Sequence, residues 1–268
     1  MKKVKMLGLL VVMLLLAGIF PVKTYAAGWI QGDNGLWWYQ HEDESYTTSG
    51  WETIGGKNYY FDEAGRMKTG WLKLENTWYY LSIYGDMQTG WKNIGGAWYY
   101  LNEDGAMLTG WQNIGNNRFY LDGSGAMYTG WLKLGNNWYY MNNSGAMLRG
   151  WQSIGGAWYH LNEDGVMLTG WQKIGNNWFY LNGSGAMTTG WQNVGGTWYY
   201  MNNSGAMLTG WQVIGGAWYY LDGSGAMHTG WIRLGETWYY LTASGAMAAN
   251  TWIGSYYVDE NGEWIPGK

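Results

Sequence analysis

Residues 190–210 read GWQNVGGTWYYMNNSGAMLTG, and this short unit decides the fold. A Gly-Trp pair opens one short stretch, two glycines follow, and WYYM forms a second stretch before a polar segment that ends in methionine. Adjacent glycines supply the positive φ angles of a two-residue hairpin turn. The unit therefore predicts a β-hairpin followed by a polar loop.

The unit is repeated along the chain with a period of twenty residues. A divergent unit at Gly28-Trp29 precedes the regular ones, and a shortened unit at Thr251-Trp252 follows them. The regular Gly-Trp pairs stand at 50–51, 70–71, 90–91, 110–111, 130–131, 150–151, 170–171, 190–191, 210–211 and 230–231. A lone hairpin is marginally stable, and repeats of this length stack on their neighbours. We therefore expect an all-β fold, a β-hairpin solenoid, with a divergent repeat at 28–49, ten repeats at 50–249 and a capping repeat at 250–268.

Strand alternation assigns the aromatic residues to two faces. Trp198 and Tyr200 share one face, and Tyr199 takes the other. The isoleucine or leucine of each GWxxI stretch is expected to fill the solenoid interior. Packing between repeats alone is one explanation for the aromatics. Leu or Val would serve a core at smaller size, however, so Trp at two positions of nearly every unit indicates a second role.

Composition supports a long, thin structure with half-exposed aromatic faces. The chain has 23 Trp and 24 Tyr but only 4 Phe, no Cys and a formal net charge of −4. Trp and Tyr carry a polar edge that suits a wet boundary better than a deep core. An acidic chain gains nothing from displacing phosphate counterions, so nucleic acid is excluded as a primary partner.

The first residues predict a secretory signal peptide. MKKVK is a basic start, MLGLLVVMLLLAGIF is an apolar run, and Thr24-Tyr25-Ala26 is an acceptable cleavage site. The alternative is an uncleaved anchor, but a membrane span needs about 20 apolar residues. We assign residues 1–26 to the signal and 27–268 to the mature repeat solenoid, with no membrane span after cleavage. Cleavage also removes Lys2, Lys3, Lys5 and Lys23 and makes the remaining chain more acidic.

The pattern GW-x6-WYYL-x4-GAM-x2-G closely resembles the choline-binding repeat of Gram-positive surface proteins and phage lysins. The opening GWIQGDNGLWWYQHEDESYTTSGW resembles the first repeat of the choline-binding module in pneumococcal-type autolysins. The resemblance implies a left-handed superhelix of hairpins with choline bound between consecutive hairpins. Two Trp of one repeat and one Tyr of the next would form an aromatic cage, with a Met nearby. Such a cage suits a quaternary ammonium, which donates no hydrogen bond and is held by apolar contact and cation–π attraction.

The resemblance carries over residue by residue. A site takes the Trp of GW, the Trp of WYY and the second Tyr of the next WYY. The irregular end sites would combine Trp29 and Trp37 with Tyr60, and Trp231 and Trp238 with Tyr257. The regular choline sites implied are Trp71, Trp78 and Tyr100; Trp91, Trp98 and Tyr120; Trp151, Trp158 and Tyr180; Trp171, Trp178 and Tyr200; Trp191, Trp198 and Tyr220; and Trp211, Trp218 and Tyr240.

Three junctions depart from this pattern. Asn58 replaces the second Trp beside Trp51, and Arg118 replaces it beside Trp111. We expect neither junction to bind choline, because Arg118 would either fill the box or repel the ligand. At the third junction Trp131 and Trp138 would face His160, which predicts a weaker site that worsens when the imidazole is protonated.

Catalytic chemistry is not predicted. His41, His160 and His228 are scattered, and the Glu-Asp pairs at 103–104 and 163–164 are ordinary turn residues. The HEDE stretch at 41–44 is read as a solvated loop in preference to a metal cluster. We therefore expect no enzyme activity, no cofactor and no metal site.

The predicted function is a secreted, non-catalytic cell-surface module. It would bind choline or phosphocholine of teichoic or lipoteichoic acid and so attach non-covalently to a Gram-positive cell wall. Several weak sites facing a polymer of repeated choline would act together through effective concentration. The role after attachment is left open among masking, adhesion and regulation of hydrolases.

Two other readings stay open. The unit GKNYYFDEAGRMKTG at 56–70 resembles glucan-binding repeats, in which aromatic rings stack on sugars. A spacer without any ligand is also compatible with the repeats. The C-terminal unit TWIGSYYVDENGEWIPGK is interpreted either as a surface for a homodimer or as a cap.

Overall fold

The computed structural model describes residues 26–268, in which the chain forms 24 β-strands and no helix. Residues 1–25 of the predicted signal peptide lie outside this described part. Within it, no helix is long and apolar enough to cross a membrane.

Contacts divide the described residues into two units, with the division between Thr129 and Gly130. The first unit contains β1 (Gly28–Gln31), β2 (Trp37–Gln40), β3 (Gly50–Ile54), β4 (Lys57–Phe61), β5 (Gly70–Leu74), β6 (Thr77–Leu81), β7 (Gly90–Ile94), β8 (Ala97–Leu101), β9 (Gly110–Ile114) and β10 (Asn117–Leu121). The second contains β11 (Gly130–Leu134), β12 (Asn137–Met141), β13 (Gly150–Ile154), β14 (Ala157–Leu161), β15 (Gly170–Ile174), β16 (Asn177–Leu181), β17 (Gly190–Val194), β18 (Thr197–Met201), β19 (Gly210–Ile214), β20 (Ala217–Leu221), β21 (Gly230–Leu234), β22 (Thr237–Leu241), β23 (Thr251–Ile253) and β24 (Tyr256–Val258).

Each odd-numbered strand pairs antiparallel with the strand that follows it, and every pair is a separate two-stranded sheet. The β7–β8 hairpin shows why. Gly95 and Gly96 form its two-residue turn with φ angles of 62° and 90°, a region that glycine enters without steric cost. The prediction of an all-β fold of repeated hairpins is confirmed.

Successive hairpins are joined by one backbone hydrogen bond. After β8 the chain loops back, and the Met107 N–H donates to the Trp78 carbonyl of the preceding hairpin at 2.8 Å. Met107 also bridges Leu101, the last residue of β8. The same bond joins Met67 to Trp37, Met87 to Asn58, Met127 to Trp98, Met167 to Trp138, Met187 to Trp158, Met207 to Trp178, Met227 to Trp198 and Met247 to Trp218. Each repeat is thus held by its neighbour, as in a solenoid.

In each unit the largest fully buried side chains are the last residues of the second strands, from β4 onward. Leu101 is 0% exposed, whereas Ile94 of the same hairpin is only half-buried. The fully buried set is Phe61, Leu81, Leu101, Leu121, Met141, Leu161, Leu181, Met201, Leu221, Leu241 and Val258. The prediction that the Ile or Leu of GWxxI fills the interior is therefore wrong. Ile94 lies at the hairpin tip beside the turn, while Leu101 lies at the base, where the returning loop covers it.

The polar loops are held by their own side chains. In the loop after β8 the Asn102 side-chain oxygen accepts from the N–H groups of Asp104 and Ala106, at 3.0 and 2.8 Å. Such local bonds are typical of Asn and Asp in turns. The loop consequently returns Met107 to the same position in each repeat.

The loop glycine is a test of this architecture. Gly125 has a φ of +85°, and a Cβ there would lie 2.4 Å from the sulfur of Met107. Gly125→Ala should lower the free energy of unfolding by about 1–2 kcal/mol, because the left-handed conformation disfavours a Cβ and Met107 must move. Chemical denaturation followed by circular dichroism measures the change.

Gly123→Ala in the same loop is the matched control. A Cβ at Gly123 meets nothing within 4 Å, and its φ is not positive. Its substitution should change the free energy of unfolding by less than about 0.5 kcal/mol. Equal destabilisation by the two variants would contradict the packing of the loop on Met107.

Candidate functional site

The hairpin register places three of the repeated aromatic residues of one repeat on a single face. Trp71 pairs with Tyr80, Lys73 pairs with Trp78, and Leu72 pairs with Tyr79. Directly paired residues share a face and successive residues alternate. Trp71, Trp78 and Tyr80 therefore lie on one face, and Tyr79 lies on the other.

The opposite face of the next hairpin completes the arrangement. Tyr99 of β8 meets Trp71 of β5 edge to face, with ring centroids 4.9 Å apart and planes at 70°. This distance and angle are those that aromatic pairs prefer. Within the two units the same contact joins Trp29 to Tyr59, Trp51 to Tyr79, Trp91 to Phe119, Trp131 to Tyr159, Trp151 to Phe179, Trp171 to Tyr199, Trp191 to Tyr219, Trp211 to Tyr239 and Trp231 to Tyr256.

Two tryptophans of one hairpin stand at right angles beside this contact. The rings of Trp71 and Trp78 have centroids 6.2 Å apart and planes at 87°. The same perpendicular pairs are Trp131 with Trp138, Trp171 with Trp178, Trp191 with Trp198, and Trp211 with Trp218. Two perpendicular rings form the corner of a box, with both faces turned toward one point.

Open cavities lie at these corners. One of about 220 Å³ is lined by Trp71, Trp78, Tyr99, Met107 and Ser124. Another of about 310 Å³ is lined by Trp191, Trp198, Tyr219, Met227, Ala243 and Ser244. No charged side chain lines either cavity. The walls are three aromatic rings and a thioether, and the rim is a loop from two repeats further along the chain.

The tryptophan at the second wall is exposed to solvent. Trp198 is 43% exposed, while Tyr200 on the same face contacts Trp191 at 5.1 Å. Tyr200 thus packs against Trp191, the first wall of the box. Trp198, the second wall, is exposed and can contact a ligand. Burial would be required if Trp198 served only as core.

The ring that contacts the first tryptophan of the preceding hairpin lies one residue before the tyrosine expected from the sequence. Tyr100, expected beside Trp71 and Trp78, lies in its own hairpin against Trp91 at 5.1 Å, and Tyr99 takes the predicted place. Each other predicted tyrosine likewise contacts the Trp of its own hairpin: Tyr60 with Trp51, Tyr120 with Trp111, Tyr180 with Trp171, Tyr200 with Trp191, Tyr220 with Trp211, Tyr240 with Trp231 and Tyr257 with Trp252. Four tryptophan pairs of the regular predicted sites are perpendicular neighbours, and the middle aromatic of the next WYY contacts the first ring of each: Trp71 with Trp78, Trp171 with Trp178, Trp191 with Trp198, and Trp211 with Trp218.

Strand alternation contained the signal for this shift. It places Trp198 and Tyr200 on one face and Tyr199 on the other. A hairpin that shows its Trp face forward must show its middle aromatic backward, to the preceding repeat. Tyr199 accordingly contacts Trp171 at 4.7 Å.

The structure also shows the two junctions in which another residue replaces the second tryptophan. Asn58 stands where other repeats have the second tryptophan, and its side chain accepts a hydrogen bond from the Thr53 hydroxyl at 2.7 Å. The Arg118 guanidinium lies over the ring of Trp111, 4.4 Å from its centroid. Of the two alternatives for Arg118, stacking on the ring is the one that the structure shows.

His160 belongs to a different junction from the one predicted. The first wall at Trp131 faces Tyr159 at 4.9 Å, whereas His160 lies behind Trp151 with centroids 5.0 Å apart. Burial lowers the pKa of His160, and the Glu163 carboxylate opposes that shift. The buried Nδ1 of His160 has no hydrogen-bond partner, which is consistent with a neutral ring.

The end junctions follow the same plan with local changes. Trp29 contacts Tyr59 at 4.8 Å, and the Met67 N–H donates to the Trp37 carbonyl. At the other end the Trp264 N–H donates to the Trp238 carbonyl at 2.9 Å, in the position that methionine occupies elsewhere. An aromatic ring therefore replaces the thioether at the last junction.

Comparison with known proteins gives the family. The sequence model of the choline-binding repeat matches residues 48–87, 88–129, 108–149, 148–189, 188–227 and 208–252. The chain belongs to the choline-binding repeat family. No match was found among curated proteins.

Solved structures of choline-binding repeat proteins from Streptococcus pneumoniae resemble the chain. CbpJ is 36% identical with a TM-score of 0.70, covering 90% of this chain and 100% of that chain. Choline binding protein F is 33% identical with a TM-score of 0.64, covering 91% and 100%. The modular autolysin LytC, solved with a synthetic peptidoglycan ligand, is 29% identical with a TM-score of 0.55, and the match covers 83% of this chain and 52% of LytC. Within residues 26–268, no group of three His, Cys, Asp or Glu side chains could hold a metal ion.

The lowered pKa of His160 predicts a pH-dependent stability. A histidine kept neutral in the fold stabilises it above the ordinary imidazole pKa of about 6.5, and that stability is lost as pH falls below this value. The melting temperature should therefore fall from pH 7.5 to pH 5.5. The His160→Tyr variant restores the residue found at this position in most repeats. Its melting temperature should fall less than that of the unsubstituted protein over the same pH range.

The two proteins differ only at position 160, so every other residue, His41 and His228 included, is common to both. The decisive quantity is the difference between the two melting curves at each pH. Parallel curves would contradict a neutral, buried His160.

Proposed function

We propose that this choline-binding repeat protein holds choline groups in the boxes between its hairpins. The observation that carries the proposal is the box itself: perpendicular Trp191 and Trp198, Tyr219 of the next hairpin, Met227, and no charged lining residue. A trimethylammonium group donates no hydrogen bond, so it is recognised by ring faces and apolar contact. Each ring contributes about 0.5–2 kcal/mol, depending on its exposure to solvent.

The number of boxes is as important as their chemistry. A single open cleft with exposed rings gives a weak site, whereas a polymer bearing repeated choline can engage several sites at once. The second binding event is then intramolecular, and avidity exceeds the affinity of any one site. This favours choline or phosphocholine on teichoic or lipoteichoic acid over free choline as the partner.

The proposed setting is the Gram-positive cell wall, with the protein secreted, attached non-covalently and without catalytic activity of its own. The basic and apolar start of the sequence supports secretion. Choline binding protein F was crystallised with a peptidoglycan analogue, and LytC with a peptidoglycan ligand, which supports a wall setting. A homodimer through the terminal repeats stays a prediction, since Trp252 and Tyr256 are about half exposed at the C-terminal end.

A carbohydrate ligand is favoured at one junction only. Trp51 is 37% exposed and has the amide of Asn58 beside it in place of a second ring. A ring platform with a neighbouring amide is suited to stacking and hydrogen bonding with a sugar. The cavities at the Trp71–Trp78 and Trp191–Trp198 corners are walled by three aromatic rings and a methionine, so we keep choline as the main ligand.

Titration with choline tests the proposal. Tryptophan fluorescence and near-ultraviolet dichroism should change saturably with choline and with tetramethylammonium. The melting temperature should rise with ligand concentration, because a ligand that binds only the folded state stabilises it. A response to glucose oligomers with none to choline would replace choline by carbohydrate as the ligand.

The number of choline molecules bound per chain distinguishes a box that binds choline from a junction that does not. Trp198→Ala should remove one choline equivalent measured by equilibrium dialysis. Arg118→Ala, which removes the side chain stacked on Trp111, should remove none. An unchanged count in Trp198→Ala would contradict the box as the binding site.

The third wall has its own test. Tyr219→Ala should weaken choline binding at the Trp191–Trp198 box by about three- to thirty-fold, a loss of one cation–π wall. Tyr219→Phe should retain binding, since Phe119 and Phe179 stand at the same position of other repeats. Isothermal titration of the three proteins measures the affinities.

Tyr220→Ala is the comparison that distinguishes the two tyrosines. Tyr220 contacts Trp211 in its own hairpin at 5.3 Å, so its loss should act on the Trp211–Trp218 box. A loss confined to the Trp191–Trp198 box would restore the original assignment of Tyr220 to that box.

A further inference from the structure

The rim of each box is formed by the tip of a loop two repeats further on. Ser124 lines the cavity of Trp71 and Trp78, and Ala243 with Ser244 lines that of Trp191 and Trp198. The loop is seated by its glycine, because a Cβ on Gly125 would lie 2.4 Å from the Met107 sulfur. The two residues before that glycine are therefore the rim pair of the box.

The loop at the N-terminal box, which contains Trp29, Trp37, Tyr59 and Met67, packs in the same way. A Cβ on Gly85 would lie 2.2 Å from the Met67 sulfur, and the Met67 N–H donates to the Trp37 carbonyl at 2.8 Å. Trp29 contacts Tyr59 at 4.8 Å. Gly85 thus takes the place of Gly125, and Tyr84 stands where Ser124 stands.

The rim pair changes with the box beneath it. Boxes with two tryptophans have small or polar pairs, such as Gly123-Ser124 and Ala243-Ser244. The junction with Asn58 in place of the second Trp has Glu103-Asp104, seated by Gly105 on Met87. The identity of the rim pair therefore differs between a box with a second tryptophan and a junction without one. Such a difference is expected if the rim pair contacts the ligand.

The N-terminal rim pair is unlike all others in being apolar. Ile83 is 78% and Tyr84 76% exposed, more than any other large apolar residue that is exposed in residues 26–268. The backbone below them is held firmly. The Tyr84 N–H donates to the Ser82 hydroxyl at 3.0 Å, the Ser82 N–H donates to the Asp86 carbonyl at 2.9 Å, and the Lys57 ammonium pairs with the Asp86 carboxylate at 3.7 Å. An aromatic ring that is exposed on a fixed loop leaves apolar surface in water and adds nothing to the packing of the fold.

We propose that Tyr84 is a fourth aromatic wall of the box formed by Trp29, Trp37, Tyr59 and Met67. This inference rests on the proposed function, since it names a specificity-determining residue for the same quaternary ammonium ligand. A side chain as small as Ser124 leaves the mouth of its box open. Tyr84 occupies the rim position, and its exposed ring would close over a bound cation on the side that the other boxes leave to solvent. The N-terminal box therefore binds choline more tightly than the three-walled boxes.

Methionine provides a separate reporter for each box. In protein labelled with ¹³C at the methionine methyl groups, Met67 reports the N-terminal box and Met107 reports the Trp71–Trp78 box. Choline titration followed by NMR gives a dissociation constant from each signal, with Met67→Leu and Met107→Leu used for assignment. Met67 should report a dissociation constant about three-fold lower than Met107 does, the effect of one solvent-exposed cation–π contact.

Tyr84→Ser should raise the dissociation constant reported by Met67 about three-fold and leave that reported by Met107 unchanged. Serine stands at this position in other repeats, so the loop accepts it. Tyr84→Phe should behave as the unsubstituted protein, because the ring and not the hydroxyl supplies the wall. The reciprocal Ser124→Tyr should tighten binding at Met107 alone.

The outcomes separate the inference from the proposed function. Titration of Met107 with no response at Met67, or with a Met67 response unaffected by Tyr84→Ser, overturns the fourth wall and leaves choline binding intact. The absence of a choline response at every methionine overturns the proposed function and this inference with it. A selective loss at Met67 in Tyr84→Ser supports the fourth wall.

Discussion

A two-stranded hairpin has two faces and can bury neither of them by itself. Everything else in this protein depends on that constraint. The chain meets it by turning one face of each hairpin toward the opposite face of the next, with one Met N–H to Trp carbonyl bond fixing the spacing, as between Met107 and Trp78. Among residues 26–268 the largest fully buried side chains lie at the bases of the hairpins, as Leu101 does. The rest of the interface between hairpins stays partly open.

That partial burial makes the packing surface and the candidate binding surface the same surface. Trp71 packs on Tyr80 behind it and on Tyr99 in front, and Trp78 stands beside them. A ligand held among these rings contacts two successive hairpins at once. Binding is therefore expected to stabilise the junction as well as to attach the protein, since the ligand adds contacts that only the folded array offers.

The same partial burial explains how the repeats vary. Asn58 and Arg118 replace a tryptophan without leaving a buried cavity, because the position faces solvent in the other repeats. Arg118 instead lies over Trp111. His160, at a more buried position, is held neutral and leaves Nδ1 without a partner. Substitution is tolerated at the exposed wall and has a physical cost at the supporting position behind it.

The sequence alone determined the class of fold. The twenty-residue period, the glycine turn at Gly95-Gly96 and the aromatic second strand predict repeated hairpins, because these are local properties of the chain. The two tryptophans of each box could also be named, since both belong to one hairpin. The junctions that lack a second tryptophan, at Asn58 and Arg118, followed from comparing each repeat with the others.

The tertiary structure decided how one hairpin meets the next. It placed Tyr99, and not Tyr100, against Trp71, and it brought the tip of a loop from two repeats away to the rim of the box. It also buried Leu101 in preference to Ile94. Alternation along a strand assigns residues to two faces, but it does not state which face a neighbour covers. That depends on the path of the returning loop, which is set by packing between repeats.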